Sequence, residues 1–408
     1  MEAKKKINVL LKFEEREIPV GQMVLDGKDI PFKYHDDFIR SGWNISPLKL
    51  SFDDSIQVAK PTPFDGIFGV FADSLPDAWG HLLMRKTLSS KGIAMEQLSI
   101  LDRLSLMGDN TSGALIYRPT ESEAFNDFPI IDLDTINENV QNVLEGESPE
   151  IIDQLFQVGG SPGGARPKVY AGYNSEDDQL LFGQDTLPEN YHHWIIKFAA
   201  KVDSPDIANI EMAYFQMARA AKIDMMESRL IEGKSGKQYF ATKRFDRVNN
   251  DRLHMLSAAG MFHDDFERSQ MDYGTLMHEA YNLMNNHSIV EEILRRAAFN
   301  VFAHNRDDHS KNFAFLMNSL GDWKFAPAYD LTFSYSSHGM HSTTCARNGI
   351  NPGTKELMQL AEHFSIKNGE KIIQEVKSVI KEWPHFANQE GVSATSSRNI
   401  ADRLKTIH

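Results

Sequence analysis

Cysteine is almost absent from this 408-residue chain, Cys345 being the only one. That excludes an intramolecular disulfide and any all-cysteine metal site, and makes the reducing cytoplasm the expected compartment. Long apolar runs are missing too: no segment reaches the ~18 unbroken apolar residues of a membrane-spanning helix. Lys4, Lys5 and Lys6 precede only the short Ile7-Asn8-Val9-Leu10-Leu11 run. With so little apolar chain and no small-residue cleavage site, a signal peptide is not expected. Positive charge is in deficit, with 43 basic residues against 57 acidic ones and a net charge of −14. This disfavours a broad nucleic-acid-binding surface but leaves room for a small basic phosphate pocket. Internal repeats and low-complexity tails are also lacking. What is present is 41% hydrophobic and 25% charged residues, enough for a sizeable core and two or three domains.

The pattern of residues divides the chain into four parts. Residues 1–120 read as an α+β domain: short strands at 8–11 and 19–25 with an Asp26-Gly27 turn signal, extended segments at 33–38 and 48–58, and a helix carrying Phe71, Leu75, Trp79 and Leu82 at three-to-four-residue spacing. Residues 121–150 are acidic and lack a long apolar run, which marks a connecting region with one helix at 136–143. Residues 151–247 form a mixed lobe with strands expected at 169–173, 179–182, 193–198 and 237–244. Residues 248–408 are mainly helical, with helices expected at 273–285, 287–305, 354–363, along the face bearing Ile372, Val376 and Ile380, and at 392–406.

The densest chemical signal follows the apolar run 297–303: Asn305-Arg306-Asp307-Asp308-His309-Ser310-Lys311-Asn312. Asp307 and Asn312 have the spacing of the base aspartate and the metal-holding asparagine in a protein-kinase catalytic loop. Phosphoryl transfer needs a carboxylate to orient or deprotonate the attacking hydroxyl. It also needs a neutral oxygen donor that completes a Mg²⁺ shell without adding charge. Lys311 is placed to offset charge on the migrating group. Alone, the pair also reads as a polar helix-to-strand loop in which Asp307 or Asp308 caps a neighbouring segment. Asp330, in Ala328-Tyr329-Asp330-Leu331, ends the next apolar segment, and a hairpin between 313 and 325 would return it beside Asn312. It reads as a second Mg²⁺ ligand or as a helix N-cap.

Upstream, Lys197 closes the Trp194-Ile195-Ile196-Lys197 run and offers a compact charge to nucleotide phosphates. Ser204-Pro205-Asp206 is a helix start with Ser204 as N-cap. On that helix Glu211 falls within the stripe of Ile207, Tyr214 and Ala218, so it needs a partner, for which Lys197 is the candidate. Alternatively it reaches solvent at the stripe edge. The run from Gly159 to Lys168 holds two Gly-Gly pairs, and Gly163 and Gly164 can present backbone N–H groups to phosphates. It is not a P-loop and contains no Gly-x-Gly-x-x-Gly fingerprint; a plain surface connection is the other reading. Lys243-Arg244-Phe245-Asp246-Arg247 ends a strand at the expected interlobe hinge, with Phe245 as an apolar neighbour for adenine.

Taken together these residues resemble the HipA-like serine/threonine kinases, the toxin components of bacterial toxin–antitoxin modules. Leu75-Pro76-Asp77-Ala78-Trp79-Gly80 is similar to the family's Leu-Pro-Asp-x-Trp-Gly element, and Gly113-Ala114-Leu115 to its Gly-Ala-Leu strand. Arg244-Phe245-Asp246-Arg247 and Asp307-Asp308-His309-Ser310-Lys311-Asn312 are similar to Arg-Phe-Asp-Arg and Asp-Gly-His-Ala-Lys-Asn. The resemblance implies a two-lobed, protein-kinase-like α+β fold of the HipA type. It implies ATP and Mg²⁺ as cofactors and transfer of the γ-phosphoryl group to a protein serine or threonine. Asp307 becomes the base, Asn312 and Asp330 the metal ligands, and Lys197 the phosphate-binding lysine paired with Glu211. Ser161, in the loop beginning Ser161-Pro162-Gly163-Gly164, becomes the autophosphorylation site. The implied partners are a protein substrate, an aminoacyl-tRNA synthetase in some relatives, and a helix-turn-helix antitoxin that makes the DNA contact; no membrane is involved. Lys243 departs from the glutamate that often precedes Arg-Phe-Asp-Arg, and Pro162 and Pro167 stiffen the serine loop. The alternative is a nucleotide-binding pseudokinase or binding module of a toxin–antitoxin-like complex.

Overall fold

The computed structural model describes residues 3–14, 16–121, 132–147, 150–160, 163–335 and 339–405. The chain resolves into two compact units. The first comprises Met1–Asp203, Ile231–Leu256 and Leu316–Asp322; the second comprises Ser204–Leu230, Ser257–Phe315 and Trp323–His408.

In the first unit, the strand Lys6–Phe13 alternates strictly, burying Ile7, Val9, Leu11 and Phe13 on one face. This is the period-two pattern of a sheet with one face on the core. It pairs antiparallel with Arg16–Val24 and with Leu115–Arg118, and Phe32–Tyr34 completes the four-stranded sheet. The extended segment expected at 48–58 is instead looped. The Asp53 carboxylate accepts the Ser55 N–H at 2.9 Å and the Gln57 side chain accepts the Ser51 N–H at 2.8 Å, local bonds that compete with strand pairing. Only Gln57 joins the sheet, bridging Phe32.

A second antiparallel sheet sets Gln179–Leu181, Lys168–Asn174, His192–Lys197 and Gln238–Lys243 side by side. Two amphipathic helices, Leu133–Leu144 and Ile152–Gly159, cover it with Ile136, Val140, Val143, Leu155 and Val158. Trp79 and Leu83, from the helix Ala78–Ser90, enter the same core beside Val169, Trp194 and Ile196. The expected packing role of Trp79 is thus met, and its indole N–H also donates to the Lys168 carbonyl at 3.1 Å.

The Arg244-Phe245-Asp246-Arg247 element carries buried charge. Arg244, Asp246 and Arg247 are each under 8% exposed. The Asp246 carboxylate accepts both Arg244 Nε and Nη2, at 2.9 and 2.8 Å, Arg247 Nη1 at 2.8 Å and the Gly113 N–H at 2.7 Å. Arg247 donates in turn to the Gly113 and Thr111 carbonyls, and the Arg244 guanidinium stacks 3.6 Å over the Tyr170 ring. Although burial opposes ionisation, the two guanidinium groups hold the Asp246 carboxyl far below the usual carboxylate range. A buried charge so completely hydrogen-bonded fixes one arrangement of the chain.

The second unit is built on the helix Ser288–Phe302, whose Ile293, Leu294, Ala297, Ala298 and Val301 are fully buried. Gly369–Lys381 and Tyr273–Met284 pack against it. The helix Ile207–Ala220 begins after Asp206, so Ser204 is not its N-cap. The Ser204 hydroxyl donates to the Asp206 carboxylate, which also accepts the Ser393 N–H at 2.8 Å and the Ser396 hydroxyl at 2.9 Å. Tyr214 of this helix packs on Trp383, ring centroids 5.3 Å apart, and donates its hydroxyl to the Ala303 carbonyl at 2.8 Å.

Candidate active site

In the second unit, the chain leaving Ser288–Phe302 reverses at His304, whose φ is +55°. Four side chains then fix the backbone that leads to Asp307. Asn305 Nδ2 donates to Asn300 Oδ1 at 2.9 Å, and Asn300 Nδ2 donates to the Tyr273 hydroxyl at 2.8 Å. The Ser334 hydroxyl accepts the N–H groups of Arg306 and Asp307 at 3.0 and 2.9 Å and donates to Asn305 Oδ1 at 3.2 Å. The Asp307 side chain stays 62% exposed on this rigid base, with His309 Nε2 3.8 Å from its carboxylate.

Asp308 points the other way and is 1% exposed. Its Oδ2 accepts the Tyr273 hydroxyl at 2.7 Å and His341 Nδ1 at 3.1 Å. Its Oδ1 accepts the Ser342 and Thr343 N–H groups at 2.8 and 3.2 Å. Burial first, then the Asp308 charge, raises the Tyr273 phenol well above its ordinary pKa, which keeps it a donor. Of the two adjacent aspartates, Asp308 therefore holds the structure and Asp307 faces solvent. Ser310 donates to the Asp264 carboxylate at 2.5 Å, as Ser269 does at 2.7 Å.

Asn312 closes the loop. Its Nδ2 donates to the Asp307 carbonyl at 2.7 Å, which leaves the amide oxygen out of this bond. The strands Ala314–Met317 and Trp323–Phe325 follow, and the Ala326 N–H donates to the Ala314 carbonyl at 2.8 Å. Tyr329 then donates its hydroxyl to the Lys311 carbonyl at 2.7 Å, tying the segment that ends in Asp330 to the loop that ends in Asn312. Asp330 takes a left-handed backbone, φ +53°. The Lys311 ammonium lies 4.6 Å over the Phe266 ring, whose other neighbour is the His309 ring at 5.7 Å. Asp307, Lys311, Asn312 and the Asp330 segment are thereby brought together. Amide and carboxylate oxygens are donor types suited to a hard divalent cation.

Lys197 belongs to the first unit, at the end of His192–Lys197 and in register with Lys168. Its ammonium lies 5.3 Å from the Phe240 ring centroid. Glu211 belongs to the second unit, on Ile207–Ala220, and is 5% exposed. Gly163 and Gly164 lie between Ile152–Gly159 and Lys168–Asn174, and the Gly164 N–H donates to the Asp77 carboxylate at 2.8 Å. Phe245 is half-buried between the buried Arg244 and Asp246. Ser161 lies outside the described residues. Sequence reasoning passed over Asp264, Phe266, Tyr273 and Ser334, which meet the loop from distant positions; Asp308 alone carried a local signal, as the second of two adjacent aspartates.

Its helices and antiparallel sheets give the chain an α+β fold of the HipA type. HipA of Shewanella oneidensis MR-1, solved with HipB and its operator DNA, shares it with a TM-score of 0.68 and 16% identity, over 98% of this chain and 97% of that one. Residues 13–118 match the HipA N-terminal domain and residues 160–383 the HipA-like C-terminal domain. The latter covers more than half of the sequence, and the chain belongs to the HipA family. The serine/threonine-protein kinase toxin HipA of Shewanella oneidensis is 25% identical over 191 residues, 42% of this chain and 42% of that protein. The matched stretch thus spans less than half of that relative's length. The Helicobacter pylori proinflammatory kinase CtkA gives a TM-score of 0.38 at 14% identity, over 60% of this chain and 88% of that one. No helix among the described residues is long and apolar enough to cross a membrane.

Proposed function

We propose that this chain is a serine/threonine-protein kinase toxin that transfers the γ-phosphoryl group of ATP to a protein hydroxyl. The observation that carries the reading is the Asn312 amide donating to the Asp307 carbonyl at 2.7 Å. That bond ties the two ends of the loop together beneath the proposed base and leaves the amide oxygen of Asn312 as the donor assigned to a cation. Asp307, exposed on a hydrogen-bonded base, orients the acceptor hydroxyl and takes its proton. Asn312 and Asp330 hold Mg²⁺, which when bound supplies charge neutralisation at the phosphates. Lys311 and Lys197 steady phosphate oxygens, Glu211 is assigned to the nucleotide site, Gly163 offers a backbone N–H group while the Gly164 N–H is taken by Asp77 at 2.8 Å, and Phe245 borders the adenine.

Ser161, on this reading, is the chain's own phosphorylation site. The acceptor in trans is a serine or threonine of a protein, with an aminoacyl-tRNA synthetase as the class the family resemblance offers. Support for an antitoxin partner comes from the HipA neighbour solved with HipB and operator DNA. The net charge of −14 fits DNA contact delegated to that partner. The test is intact mass after incubation with Mg²⁺ and ATP, beside Asp307→Ala and Asp330→Ala, with mapping of the modified residue. A phosphoryl adduct in the parent chain alone is expected. Equal incorporation in all three chains removes both aspartates from the chemistry. No incorporation in any of them, on the chain or on candidate protein substrates, leaves a nucleotide-binding pseudokinase.

A further inference from the structure

Residues 163–168, at the end of the glycine-rich run, are held by a side chain from far upstream. Asp77 stands at the N-cap of Ala78–Ser90, where a carboxylate ordinarily accepts an N–H from its own first turn. It makes no such capping bond. Its Oδ2 instead accepts the Gly164 N–H at 2.8 Å and lies 2.9 Å from where a Cβ on Gly163 would stand. The next residues continue the grip: the Trp79 N–H donates to the Gly164 carbonyl at 3.4 Å and the Trp79 indole to the Lys168 carbonyl. Gly80 completes it, since a Cβ there would stand 2.0 Å from the Gly160 carbonyl oxygen. From the other side, the Arg166 guanidinium makes a bidentate pair with Asp203 at 3.0 to 3.1 Å.

Glycine pairs lose more backbone freedom on being ordered than any other residues. A loop of this kind binds phosphate weakly unless something orders it in advance. Gly164, with φ at +99°, occupies a backbone region closed to other residues, and Asp77 fixes it there by a charge-assisted hydrogen bond. We propose that Asp77 is a positioning residue for the nucleotide, acting through the Gly164 N–H to hold residues 163–168 of the glycine-rich run ready for phosphate. The N-terminal module thereby sets the affinity of the ATP site. This rests on the kinase reading above.

The experiment uses the full chain with Asp77→Ala, Asp77→Asn and, as a second route to the same loop, Gly80→Ala. MgATP affinity is measured by calorimetry, KM for ATP and kcat by phosphoryl incorporation, and the Gly164 amide by hydrogen exchange. Losing one charge-assisted bond predicts about a tenfold weaker affinity and higher KM in Asp77→Ala, with kcat within about twofold. Asp77→Asn keeps an oxygen for the Gly164 N–H and restores affinity to within about threefold. Gly80→Ala weakens MgATP binding without touching Asp77. Faster Gly164 exchange with unchanged ATP affinity overturns the proposal, as does a loss confined to kcat. A parent chain that binds no MgATP overturns the kinase reading itself, and the positioning role with it.

Discussion

Replacing Asp308 with alanine tests the claim that this residue, and not its neighbour, holds the site together. The carboxylate accepts four hydrogen bonds, from Tyr273, His341 and the amides of Ser342 and Thr343. Alanine leaves all four donors without that acceptor, in a place where Asp308 and Thr343 are essentially inaccessible to water. One orphaned buried donor costs about 1–3 kcal/mol. Breaking a buried charged network typically costs about 3–5 kcal/mol, the total expected here because water and local shifts recover part of the sum. For a unit of this size that corresponds to a fall in melting temperature of roughly 10 °C. Urea and thermal unfolding followed by circular dichroism give the number, and amide exchange at Ser342 and Thr343 locates it. Asp308→Asn keeps one acceptor oxygen but turns an NH₂ toward N–H donors, so it falls between alanine and the parent. A loss below about 1 kcal/mol in Asp308→Ala, with Ser342 and Thr343 still protected, refutes the reasoning.

Three further outcomes follow from the same geometry. Asp307→Asn, exposed and outside the buried network, keeps ATP affinity and thermal stability while transfer falls about 10²- to 10⁴-fold; retained activity in a phosphoryl-incorporation assay removes it from the base role. Trp79→Phe keeps most of the buried ring but removes the indole N–H that donates to the Lys168 carbonyl, costing about 1–3 kcal/mol in urea unfolding; a neutral result would mean that this bond contributes nothing to stability. Stability falls with acid because burial, reinforced at His193 by Arg244 and Arg247, lowers both His193 and His254 to about 4. Their native rings are neutral while the unfolded rings take up protons near pH 6.5. The contribution is therefore complete above pH 6.5 and is lost as pH falls toward 4, at up to about 1.4 kcal/mol per pH unit for each ring. Denaturation at pH 7 and pH 5 checks it, and His193→Gln should remove part of the slope; an unchanged slope would exclude His193 as a contributor.

Where local chemistry decides, the sequence was legible. Thr354–His363 is found at its expected ends because Glu356 reaches back to accept the Gly353 N–H at 2.9 Å, a bond contained within one turn. The strands at 169–173 and 193–198 were marked by β-branched and aromatic residues that do enter the core. Ser204 misled because its hydroxyl is drawn to Asp206, and Asp206 is committed to Ser393 and Ser396 near the far end of the chain. The helix Ile152–Gly159 went unread because its eight residues run straight into glycines, and the core it packs on is assembled from distant segments. In the site, the Asp307–Asn312 spacing was visible as a pattern, and the bland reading of a capping aspartate also had its place, in Asp308. The supports contributed by Tyr273, Ser334 and Asp264 could not be read, since nothing in their own neighbourhoods marks them.

The salt-bridged Asp246 bears on how such a chain can be inherited. Its carboxylate is satisfied by Arg244 and Arg247 together with the Gly113 amide, and Arg247 in turn needs the Gly113 and Thr111 carbonyls. Gly113 and Thr111 lie within the stretch 13–118 and the charged residues within 160–383, the two stretches that family models treat as separate. A recombination event that brought in a copy whose backbone runs differently at 111–113 would leave the Asp246 carboxylate and the Arg247 guanidinium, sealed away from water, short of three main-chain hydrogen bonds, a change far more damaging than a lost surface contact. The two modules can diverge in their loops and outer faces, but at this seam they must travel as a matched pair. A chimera joined between residues 119 and 159 is expected to fold only when both sides come from chains that keep this set of contacts.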